Sequence, residues 1–110
     1  MDLIAQVRSV LTDDLLKPIY RNMANRKPTT GHCYAASEAI YHMLSGCKPM
    51  QINHEGGSHW YLLGPSGEVL DATADQFSTP VPYNLGKGKG FLTKAPSKRA
   101  TEIIRRVQNG

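Results

Sequence analysis

"HWYLLGPSGEVLDAT", His59 to Thr73, holds two β-rich runs around a turn, and the geometry of that turn decides which side chains can meet. Successive residues of a strand point to opposite faces. An even, four-residue loop would pair Leu63 with Glu68 and send His59 and Asp71 to opposite faces. Pro65-Ser66-Gly67 instead suits a type I turn with Gly67 left-handed, a three-residue loop closed by a bulge. Gly64 then pairs with Glu68, Tyr61 faces Asp71, and His59 faces Thr73. His59 and Asp71 become diagonal neighbours on one face, within about 8 Å at Cβ. Trp60, Leu62, Leu70 and Ala72 fall on the other face and make it apolar.

Upstream, "GHCYAASEAIYHML" (31–44) is a polar turn running into a helix. The spacing predicts a helix from near Cys33 to Ser45, with Gly46 just beyond its end and Ala36, Ile40, Met43 and Leu44 on its buried face. "MQINHE" predicts a short strand, and Gly56 and Gly57 a turn into the next one. At the N-terminus, Leu3, Ile4, Val7, Val10 and Leu11 share one helical face. Thr12 with Asp13 and Asp14 reads as a new helix cap. Pro18 should break or kink what begins there, before an apolar turn of Ile19, Tyr20 and Met23. "NRKPTTG" is a polar loop closed by Gly31. Downstream, "DQFSTPVPYNLGKGKG" reads as a long loop. Ser97 then caps a final helix that packs through Ala100, Ile103, Ile104 and Val107. Helices, a small sheet and a closing helix predict an α+β fold, one domain over residues 1–110.

Hydrophobic and charged contents of 40% and 20% suit a globular chain. No apolar run approaches the roughly 18 residues of a membrane span, and Asp2 stands where a signal peptide would be basic. A cytoplasmic location, with no membrane partner, is therefore expected. Thiols stay reduced there, so a Cys33–Cys47 disulfide is not. The formal charge of +4 is uneven. Lys87, Lys89, Lys94, Lys98, Arg99, Arg105 and Arg106 crowd the C-terminal stretch against Glu102 alone, a pattern that could meet nucleic acid or an acidic protein.

Cys33 admits several roles. At a helix N-terminus a thiol meets backbone N–H groups and the positive end of the dipole, which favour the reactive thiolate. The same N–H groups can donate to an oxyanion. A buried, inert core thiol is the competing role. A nucleophile needs a base and an orienter, and the hairpin supplies His59 and Asp71 if the turn carries its bulge. His32, Cys33, Cys47, His54 and His59 include metal-ligand types, but their spacing matches no zinc pattern. No metal or cofactor is expected. "GKGKG" lacks Walker spacing and is expected to be a flexible, basic loop beside the substrate. Asp75 is expected to hold the turn after Asp71, whereas Gln76 is a candidate substrate contact.

"GHCYAASEAIYHML", "SHWYLL" and "GEVLDAT" resemble the three core motifs of the transglutaminase-like branch of papain-like cysteine enzymes. The resemblance spans Gly31 to Thr73. It implies Cys33 as nucleophile, His59 as base and acid, Asp71 as orienter and Trp60 as a packing aromatic. It implies acyl transfer on a peptide, protein or small-molecule amide or ester. Asn25, His32, Tyr34, Trp60 and Gln76 are the candidate substrate contacts. The chain departs from the pattern in its shortness and in Ala72, where the family usually has proline. It also lacks the upstream glutamine that papain-type enzymes use as oxyanion donor, leaving Asn25 as the nearest amide. Over "GHCYAASEAIYHML", "DATADQF" and "GFLTKAPSKRA" the chain is also similar to short phage-encoded proteins, which would imply action in the cytoplasm of an infected bacterium. The alternative is a binding module, in which Cys33 is core and Lys87, Lys89, Lys94, Lys98 and Arg99 grip an anionic partner.

Overall fold

The computed structural model describes residues 2–21, 27 and 29–110. Asn25, and Met23 of the expected apolar turn, lie outside the described residues. Over the described residues the fold is α+β, with four α-helices and a four-stranded antiparallel sheet. Helix α1 (Leu3–Ser9) starts at Asp2, whose carboxylate accepts the Ala5 N–H at 2.8 Å. Thr12 occupies the cap position of a single 3₁₀ turn, Asp13–Leu15, rather than of a longer helix. Pro18 begins the short helix α2 (Pro18–Arg21) instead of breaking one. At the first helical position its missing N–H has no intrahelical partner to lose. Helix α3 (Cys33–Met43) starts where expected but ends two residues early, because Leu44 is already extended.

Strands β1 (Lys48–His54) and β2 (Gly57–Leu63) form a hairpin. It closes through Glu55 and Gly56, both at positive φ, which matches the right-handed twist of the strands. The Gly64–Glu68 turn has the bulged geometry. Gly67 has φ of 80°, the Gly67 N–H donates to the Gly64 carbonyl at 2.9 Å, and the Gly64 N–H donates to the Glu68 carbonyl at 2.7 Å. Strand β3 (Val69–Leu70) therefore pairs Leu62 with Leu70 and Leu63 with Val69, the register expected for a three-residue loop. It is shorter than the sequence suggested and stops before Asp71.

Two consequences of this sheet position the site. Because β3 stops at Leu70, residues 57–61 of β2 have, among the described residues, a strand partner on the β1 side alone. Helix α3 runs along that free edge, where the Ser37 hydroxyl donates to the Trp60 carbonyl at 3.0 Å and the Cys33 thiol lies 3.9 Å from the Ser58 carbonyl. At the opposite side of the sheet, Lys87–Gly88 of "GKGKG" forms strand β4 against β1, pairing Met50 with Gly88 and Gln51 with Lys87. The expected flexible loop is thus a sheet edge, since β1 offered unpaired backbone groups there and glycine brings no side chain to obstruct the approach.

Both sheet faces are covered. Leu62 and Ala72 pack with Val7, Ala36, Ile40, Ala100 and Ile103 from the helices. The other face buries Met50, Ile52, Tyr61 and Val81, with Phe77 and Tyr83 against them. The segment after Thr73, read as a loop, therefore packs onto this second face through Phe77, Val81 and Tyr83. Helix α4 (Lys98–Asn109) begins at Ser97, whose hydroxyl oxygen accepts the Ala100 N–H. The Ser97 N–H and O–H in turn donate to the fully buried Glu38 carboxylate at 3.0 and 2.6 Å, tying α4 to α3. At the far end of α4, Glu102 pairs with Arg105 and Arg106, and Arg106 also reaches Asp14 at 2.6 Å. Hydrogen bonds from Arg105 and Arg106 hold the Glu102 carboxyl down at about 2. Two of the seven C-terminal cations are thereby committed within the chain. Among the described residues no helix is long and apolar enough to cross a membrane.

Candidate functional site

Cys33 is the first residue of α3 and is partly exposed. Its approach is set by Gly31, which has φ of 86°. A Cβ there would also lie 2.8 Å from the Tyr20 ring, so both conformation and space require glycine. The first helical turn leaves the N–H groups following Cys33 without intrahelical acceptors.

His59, near the start of β2, is fully buried. Its Nε2 lies 2.6 Å from Asp71 Oδ2, and the Asp71 side chain is 3% exposed. With Nε2 turned to Asp71, Nδ1 is the nitrogen left for other partners. The Gln76 amide lies 3.1 Å from it and 3.3 Å from the Thr73 hydroxyl. Burial alone would favour the neutral ring. It is outweighed by the hydrogen bond to Asp71, by a hydrogen bond to the Cys33 side chain and by the charges of both groups, so the His59 pKa is pushed up to about 9. His59 and Asp71 are thus in direct contact, and Cys33 is near enough to the ring to raise its pKa.

Asp71 is held from all sides. Oδ1 accepts from the Thr73 N–H at 3.1 Å and from the Thr73 hydroxyl at 3.4 Å. Oδ2 also accepts from the Tyr83 hydroxyl at 2.7 Å. Burial, then the hydrogen bond to Asp71 and its charge, push the Tyr83 phenol well above its ordinary range, so it stays a donor. The Tyr83 carbonyl accepts from the fully buried Tyr61 hydroxyl at 2.8 Å. Tyr83 was not legible as a site residue. It sits in "PVPYNLG", a proline-flanked segment without periodicity, and only the buried second face of the sheet brings it to Asp71.

The constellation opens on a cleft of ≈ 810 Å³. Cys33, Ser58 and Gln76 contribute to its lining, together with the aromatic side chains of Tyr34, Trp60 and Phe77. Tyr34 packs edge-on against Trp60, and its hydroxyl accepts the Leu92 N–H at 2.8 Å. Trp60 stacks on Phe91, and the Lys89 ammonium lies 5.6 Å from the Trp60 ring. Of the expected substrate contacts, Tyr34, Trp60 and Gln76 line this cleft. His32 does not: it is fully buried at the cap of α3, because that turn packs inward. Asp75 has a holding role, pairing with Arg8 and accepting from the Thr29 hydroxyl at 2.6 Å. Among the described residues no group of three His, Cys, Asp or Glu side chains is arranged to hold a metal. Both cysteines are free thiols.

No protein-family model, no curated protein and no solved structure matches the chain.

Proposed function

We propose that this is a small cysteine-dependent acyl-transfer enzyme built on a papain-like or transglutaminase-like core, with Cys33, His59 and Asp71 as its triad. One observation carries the reading. A fully buried imidazole has its Nε2 on a carboxylate at 2.6 Å and interacts with a cleft-lining thiol at a helix start. In the reaction the Cys33 thiolate adds to an amide or ester carbonyl carbon, and helix N–H groups receive the oxyanion. His59 Nδ1–H gives its proton to the leaving amine or alcohol as the carbon–heteroatom bond breaks, leaving a thioester. Water or an acceptor amine then gives a proton to Nδ1 while attacking the thioester, and the thiolate departs. Asp71 keeps Nε2 protonated throughout and compensates the imidazolium charge. The similarity to phage proteins would place this chemistry in a bacterial cytoplasm, where Cys33 stays reduced.

The test is acylation by p-nitrophenyl acetate followed by mass spectrometry. One acetyl group should appear on Cys33, transiently, and not on Cys47. Cys33→Ala should abolish it, and His59→Ala should slow it by about 10²-fold or more. Unchanged ester turnover in Cys33→Ala would overturn the proposal.

A further inference from the structure

The cleft beside Cys33 has an unbalanced charge. Lys17, in the turn leading into α2, and Arg99, in the first turn of α4, both line it. Among the described residues Glu55 is the one carboxylate in the lining, and it is hydrogen-bonded to the loop at Ser78 and Thr79. It accepts from the Ser78 N–H at 3.1 Å and from the Thr79 N–H and hydroxyl at 2.8 and 2.6 Å. These bonds hold its carboxyl below the usual range, so it stays ionised. Arg8, Arg105 and Arg106 are paired with carboxylates, whereas Lys17 and Arg99 have no ion-pair partner among the described residues. With Lys17 and Arg99 against the one carboxylate of Glu55, the described lining carries a net positive charge, which favours a ligand that carries negative charge.

We infer that the acyl donor is an acidic peptide, with carboxylate side chains flanking an apolar or aromatic residue, and that Lys17 and Arg99 read those carboxylates. This rests on the acyl-transfer reading of the same cleft. Three features favour an extended peptide over a compact anion. The cations come from separate elements, one just before α2 and one in α4. The lining they share is rich in aromatic surface from Tyr20, Tyr34, Trp60 and Phe77. The volume of ≈ 810 Å³ is in the range that encloses a ligand larger than a single ion, roughly 300–1,000 Å³. Apolar surface supplies affinity and the paired charges supply selection, as in other charge-complementary interfaces.

The experiment measures binding separately from turnover. Cys33→Ala protein is titrated with a fluorescein-labelled pentapeptide carrying two glutamates around a central tyrosine, and with its twin carrying two glutamines. The acidic peptide should bind about five- to tenfold more tightly at low salt, and the gap should shrink at about 0.5 M salt. Lys17→Gln with Arg99→Gln should erase the gap. Lys94→Gln with Lys98→Gln, on the exposed stretch outside the cleft lining, should preserve it. Equal binding of the two peptides overturns the inference. So does a preference that survives loss of Lys17 and Arg99, or displacement of the acidic peptide by a single-stranded oligonucleotide at lower concentration than by unlabelled peptide. Selective binding with no turnover by the unsubstituted protein removes the acyl-transfer reading and keeps the charge selection. Turnover of both peptides at equal kcat/KM does the reverse.

Discussion

The Tyr83 hydroxyl donates to Asp71 at 2.7 Å, on the same oxygen that faces His59 at 2.6 Å. A buried carboxylate needs several donors to remain ionised, and here the His59 ring, Thr73 and Tyr83 supply them. Tyr83→Phe removes one donor and leaves the ring in place. A hydrogen bond to a charged group contributes about 1.5–3 kcal/mol, so the variant should lose stability of that order in urea or thermal unfolding. Its imidazole should still titrate as a charged group near neutral pH, because the Asp71–His59 contact persists. Unchanged stability would mean that Tyr83 does not support Asp71.

The charge on His59 predicts how stability depends on pH. Its pKa rises from 6.5 to about 9 on folding. A basic group raised in this way stabilises the fold fully below its unfolded value and loses that contribution as pH climbs through the folded value. The contribution of His59 should therefore be complete below 6.5 and fade as pH passes about 9, with a size on the order of 3 kcal/mol. The ring Cε1–H resonance, followed by NMR, should report imidazolium at pH 7. In Asp71→Asn the main favourable partner is gone and burial opposes the charge, so the titration should move down by about a unit or more. A ring already neutral at pH 7 in the unsubstituted protein would contradict this assignment.

The two thiols should react differently. Burial, and the Glu68 charge after it, push the Cys47 thiol up, which keeps it protonated and unreactive. Cys33 lines an open cleft and has the charged His59 ring as its neighbour. Iodoacetamide at pH about 6 should label Cys33 faster by about 10²-fold or more, and His59→Ala should remove most of that advantage. Cys47→Ser should alter neither labelling of Cys33 nor acyl transfer. Equal labelling rates would return Cys33 to the role of an ordinary thiol.

What could be read from the sequence was local. Gly67 is the residue that a left-handed turn position demands, and from that one position the register of β2 and β3 follows, and with it the shared side of His59 and Asp71. Ser97 and the helix start at Cys33 were legible for the same reason, because caps and turns are decided within a few residues. The missed features depend on contacts distant in sequence. Lys87–Gly88 is a strand because β1 has an open edge, which nothing in "GKGKG" announces. Glu38 reads as a polar helix position, yet it is buried because Ser97 comes to it from 59 residues away. His32 has the chemistry of a ligand contact and is enclosed by packing that its neighbours in the chain do not reveal. Tyr83 joins the site because the segment after Thr73 folds over the sheet.

That fold-over depends on Gly86. Its φ is −68°, an ordinary value that alanine adopts without strain, so conformation is not the reason for glycine. Space is. A Cβ at this position would stand 1.8 Å from the Tyr61 hydroxyl oxygen and 2.8 Å from Cζ of the same ring. Tyr61 is fully buried and cannot swing aside cheaply, and its hydroxyl holds the Tyr83 carbonyl. Gly86→Ala should therefore displace Tyr61, loosen Tyr83 and slacken the grip on Asp71. Overpacking of this kind costs about 1–3 kcal/mol. The informative comparison is Gly90→Ala, where a Cβ would meet nothing within 4 Å and stability should hardly move. At a temperature where both variants are folded, Gly86→Ala should also shift the His59 Cε1–H resonance and slow acylation of Cys33, and Gly90→Ala should do neither. A Gly86→Ala protein with unchanged stability and an unshifted His59 resonance would show that the Tyr61–Tyr83–Asp71 chain does not set the geometry of the imidazole.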